Sequence, residues 1–113
     1  MALRAISALT ADPDSAKKPL KNKSFTFSVQ LVDVKASDPK DRNLEWSLAA
    51  GNDLVFSAGG KTVTRTRKIG ATAVDVTLNE TISGTGGDAA SFRVTLRELP
   101  SNDLAVCFVK LEG

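Results

Sequence analysis

Leu44-Glu45-Trp46-Ser47-Leu48 holds the only tryptophan of the chain. Apolar and polar residues alternate through it, so a strand here puts Leu44, Trp46 and Leu48 on one face and Glu45 and Ser47 on the other. A tryptophan in the middle of such a strand brings a large apolar area to one point, which suits the gap between two facing sheets. These five residues predict a strand at the centre of a β-sandwich.

The same alternation appears on both sides of this stretch. Upstream, residues 24–34 set Phe25, Phe27, Val29 and Leu31 against Thr26, Ser28 and Gln30, a central strand with a large inward face. Asp33 to Asn43, with Ser37-Asp38-Pro39, is expected to be a solvated loop. Downstream, Leu54-Val55-Phe56 is a short apolar piece between the turn clusters Ala50-Gly51-Asn52-Asp53 and Ala58-Gly59-Gly60. Residues 61–68 place Thr62, Thr64 and Thr66 opposite Lys61, Val63, Arg65 and Arg67; with one large apolar residue, this strand is expected at the periphery. Gly70 permits a tight connection to the next strand, where Val74, Val76 and Leu78 point inward. Ser83 to Asp88 forms a glycine-rich turn. Phe92, Val94 and Leu96 then alternate with Arg93, Thr95 and Arg97. After Pro100-Ser101-Asn102-Asp103, the last strand, Leu104–Leu111, is apolar on both faces.

Residues 1–22 are polar and broken by Pro13 and Pro19, a largely extended lead-in with a short strand around Ala5–Leu9. Lys17, Lys18, Lys21 and Lys23 read as guards of an edge strand against sheet-to-sheet association. Seven strands at regular spacing, joined by Gly, Pro, Asn and Asp turns, predict an all-β fold: an immunoglobulin-like two-sheet Greek-key sandwich. A small closed barrel is the runner-up, since alternation alone does not separate the two.

Composition sets the bounds. A chain of 113 residues fits one domain, 1–113, with one core. A net charge of +2 gives no reason to expect nucleic acid as a partner, and 5% aromatic residues without tyrosine make a poor stacking platform. One cysteine, Cys107, leaves no internal disulfide. No stretch approaches the ~20 apolar residues of a transmembrane segment, and the N-terminus lacks the apolar run of a signal peptide.

Several segments resemble the bacterial immunoglobulin-like repeats of the intimin and invasin adhesins. Residues 9–16, Leu-Thr-Ala-Asp-Pro-Asp-Ser-Ala, resemble the lead-in of such a repeat, and residues 24–33, ending on Asp33, resemble its long strand. Residues 66–78 look like the turn and strand around the repeat's glycine, here Gly70, and residues 81–85 like its closing small-residue step. The loop after Asp33 is longer and more charged than the family's short glycine turn. The resemblance implies a non-enzymatic adhesive or spacer module at the bacterial surface, with neighbouring domains or a protein partner as its contacts.

The residues offer little chemistry. There is no histidine, hence neither the commonest general base nor the commonest metal ligand, and no nucleophile elbow, zinc-binding cysteine pair or phosphate loop. No cofactor is expected. Asp33, Asp38, Asp41 and Asn43 supply oxygen ligands of the kind calcium takes, but at a spacing that fits no known loop. Cys107 has no neighbouring base to activate it and reads as a core residue. Asn22-Lys23-Ser24 and Asn79-Glu80-Thr81 fit the glycosylation pattern, which is common by chance.

Arg65, Arg67, Arg93 and Arg97 are the candidate contact residues. If their two strands share a sheet, the four guanidinium groups form one surface suited to carboxylate or phosphate. The simpler expectation is a solvated face neutralised by Asp75 and Glu98. Two alternatives to the surface-adhesin module follow: a stand-alone virion or secretion-apparatus accessory protein that self-associates through its edges, and a domain binding an anionic polymer or glycan through the arginine face.

Overall fold

The computed structural model describes residues 5–32, 42–48, 53–57, 64–70, 74–99 and 101–113. Among these are nine strands: β1 (Ile6–Asp12), β2 (Ser15–Lys17), β3 (Leu20–Leu31), β4 (Arg42–Leu48), β5 (Val55–Phe56), β6 (Thr64–Ile69), β7 (Asp75–Gly84), β8 (Ser91–Leu99) and β9 (Asp103–Glu112). They form two sheets of order β1-β3-β7-β5 and β2-β9-β8-β4-β6, packed face to face. All neighbours pair antiparallel except β2, which runs parallel to β9. With β1, β3 and β7 in one sheet and β4, β8 and β9 in the other, the pairing is that of an immunoglobulin-like sandwich.

The alternation expected for the inner faces holds over most of both sheets. Phe25, Phe27, Val29, Leu31, Leu44, Trp46, Leu48, Val76, Leu78, Phe92, Val94 and Leu96 are buried in one apolar cluster. Phe25 of one sheet meets Phe92 of the other edge to face, with ring centroids 5.6 Å apart, the geometry the ring quadrupoles favour. Val74 is the exception, at 46% exposed. It lies one residue before β7, so the ladder that keeps Val76 and Leu78 inward does not hold its side chain, although its carbonyl still accepts from Leu31 N–H at 2.8 Å.

The first residues are more than a lead-in. β1 edges one sheet and β2 the other, and the chain changes sheets at Pro13 and Asp14. β3 also starts earlier than expected, at Leu20, and its first residues extend past the end of the β1 ladder at Thr26. Lys21 and Lys23 therefore stand on a locally open edge, and Lys17 on the edge strand β2, as guards should. Lys18 instead straps a turn, its Nζ donating to the carbonyls of Gly87 at 2.9 Å and Ala89 at 3.1 Å.

The turns follow their residues. Asn102 takes a left-handed φ of 63° in the β8–β9 turn, and its N–H donates to Glu98 O at 2.7 Å. Gly84, at φ 147°, has no room for a side chain, because a Cβ would collide with the backbone of Asp53 and Leu54. Gly70 shows no such constraint, and a Cβ there meets open space.

Two stability outcomes follow from this packing. Trp46→Ala is expected to cost about 3–5 kcal/mol in denaturant unfolding, and an unchanged midpoint would contradict the central placement of this ring. Gly84→Ala is expected to cost at least about 1–3 kcal/mol by strain, whereas Gly70→Ala should leave the midpoint near its starting value.

Candidate functional site

The candidate arginines come from β6 and β8, which lie in the same sheet with β4 between them. They do not share a surface. Arg65 and Arg67 pair in register with Trp46 and Leu44, whose side chains point into the sandwich, so both lie on the inner side of the edge strand. Arg97 pairs with Glu45, and Arg93 with Phe108, on the outer side. The β6 stretch has too few large apolar residues for its sequence to say which face is inward; its pairing with β4 decides the matter.

The inner pair is engaged with the opposite sheet. Arg67 Nη1 donates to Thr77 O of β7 at 3.0 Å. Arg65 Nε donates to Glu80 Oε2 at 3.1 Å, and Trp46 Nε1 donates to the same oxygen at 2.8 Å. Glu80 is 4% exposed, and its Oε1 has no hydrogen-bond partner among the described residues. A cavity of about 390 Å³ opens beside it, lined by Ser24, Thr26, Arg65, Asn79 and Thr81. Phe25 lines it as well, so its wall is part apolar.

A second buried cluster sits near the β8–β9 turn. Arg42 and Glu98 are both almost wholly buried and paired at 2.6 Å. Ser101 donates to Glu98 Oε1 from its hydroxyl and, at 3.3 Å, from its N–H. Glu98 therefore does not neutralise the surface arginines, and Asp75 lies on the outer face of the other sheet. On the outer face Arg97 and Glu45 pair at 3.8 Å, both partly exposed.

Arg42, Glu80 and Glu98 are buried, although charge alone would place them outside the core. Their signal was present, since each stands two places from an inward apolar residue: Arg42 before Leu44, Glu80 between Leu78 and Ile82, and Glu98 after Leu96. An alternation counted without regard to charge includes all three.

Asp33, Asp38 and Asp41 of the calcium candidate lie outside the described residues; Asn43 is on β4. Among the described residues no three His, Cys, Asp or Glu side chains gather as a metal site, and no helix is long and apolar enough to cross a membrane. Asn22 and Asn79 are both exposed, and Asn79 accepts a hydrogen bond from Thr26 Oγ1 at 3.1 Å. Burial pushes the Cys107 thiol up to about 11 from an ordinary 9.0, so it stays protonated and unreactive near neutrality. No known protein family matches the chain, and no curated protein is similar to it.

Two measurements check these assignments. Glu98→Ala leaves the Arg42 charge buried without this partner and is expected to cost about 3–5 kcal/mol, with Glu98→Gln milder because it keeps a hydrogen-bond acceptor. Because the folded Cys107 pKa is raised, its share of stability is full below pH 9 and is lost as pH rises through about 11. A Cys107→Ala variant should lack that component of the alkaline decline, at most about 2–3 kcal/mol.

Proposed function

We propose that this chain is a non-enzymatic immunoglobulin-like module, a spacer or interaction domain of a bacterial surface protein. One observation carries the spacer role. The chain enters the described fold at Ala5, whose N–H donates to the Asp103 carboxylate at 2.9 Å at the start of β9. It leaves just after Glu112, at the other end of that strand. Ten extended residues separate entry and exit by roughly 30 Å. The longest dimension of the molecule is 48 Å. Modules joined through such ends extend into a rod instead of folding back on each other. The resemblance to intimin and invasin repeats supports the same role.

Small-angle scattering of the single chain and of two copies joined in tandem tests this. The single chain is expected to be monomeric, and the tandem pair to reach roughly twice the maximum dimension of one copy. A stable dimer of the single chain would favour a self-associating accessory protein. A tandem pair no longer than one copy would overturn the spacer role.

A further inference from the structure

The outward positions of an antiparallel sheet that faces water are normally polar. β9 breaks this rule three times in succession. Leu104, Val106 and Phe108 all point outward and are 58%, 44% and 62% exposed. In register beside them on β8 stand Arg97, Thr95 and Arg93. The sandwich does not need these apolar side chains, because Cys107, Val109 and Leu111 fill the core from the other face of the same strand. An apolar strip close to a sheet edge is an aggregation hazard, so a fold gains nothing by carrying it without a use.

The charges around the strip indicate what it meets. Among the described residues, the outer face of this sheet carries Lys17, Lys68, Arg93, Arg97 and Lys110 against Glu45 and Glu112, and the two arginines stand beside the strip itself. An apolar centre bordered by arginines has the composition of a protein interface. A second copy is a poor occupant, since it would set one cationic face against another. A sulfated or phosphorylated polymer would use the cations and leave Leu104, Val106 and Phe108 unmatched.

We propose that the outer face of β8 and β9 docks a protein partner whose contact surface has apolar side chains bordered by carboxylates. The proposal rests on the interaction-module function above and adds the chemistry of its partner. Leu104, Val106 and Phe108 supply the desolvated centre, and Arg93 and Arg97 set orientation and encounter rate.

The test uses a fluorescent peptide that alternates Glu with Val, Leu and Phe, a control peptide with Ser at every apolar position, phosphatidylserine vesicles and heparin. At 0.15 M salt the whole chain is expected to bind the apolar acidic peptide at least tenfold more tightly than the Ser control. Leu104→Ser with Phe108→Ser, and separately Arg93→Gln with Arg97→Gln, should each weaken binding at least tenfold without moving the melting temperature by more than a few degrees. Should a variant fold poorly, amide shifts of the unaltered protein on peptide addition must map to β8 and β9. Equal binding of both peptides, binding confined to vesicles or heparin, dimerisation of the free chain through this face, or shifts elsewhere would each overturn the proposal. So would an absence of binding; with a monomeric, extended tandem pair, that result leaves the spacer role intact.

Discussion

One oxygen of a buried carboxylate joins the two sheets. Glu80 of β7 accepts from the Trp46 indole of β4 and from Arg65 of β6, so a residue of one sheet is bound to two strands of the other. Apolar packing between sheets has no preferred direction and tolerates sliding, whereas a hydrogen bond does not. In a low-dielectric interior the cost of leaving the Glu80 charge unmatched makes this contact selective for a single alignment. The central tryptophan therefore acts twice, by filling the gap and by fixing its geometry.

Arg42, Glu98 and Ser101 play a similar part near the β8–β9 turn. Their bonds tie the start of β4 to the end of β8 and to the turn that leads into β9. The apolar core packs around these bonds, with Phe25 against Phe92 across the sheets. The inward-facing charges thus act within the fold. The partner contact proposed above uses an outer face, where substitutions disturb stability least.

Much of this was legible in the sequence. The strict alternation around Trp46 and through Phe25 to Leu31 identified strands and their inward faces, and the scarcity of large apolar residues over 61–68 pointed to the peripheral place that β6 takes in that stretch. Alternation tells which residues share a face but not which face is inward when neither is strongly apolar. For that reason the sequence alone groups Arg65 and Arg67 with Arg93 and Arg97, and only strand pairing separates them. Buried charges are hard to see for a related reason: Glu80 and Glu98 look like surface residues until the partner that neutralises each is placed beside it. The roles of β1 and β2 depend on long-range pairing with β3 and β9, which local pattern does not encode.

Hydrogen exchange of the Trp46 indole N–H, followed by its side-chain NMR resonance, tests the cross-sheet bond most directly. If Glu80 holds the two sheets in alignment, this proton exchanges only when the whole domain unfolds, with the same free energy as the slowest core amides of β3 and β8. Exchange at a much lower free energy, through local opening while those amides stay protected, would contradict it.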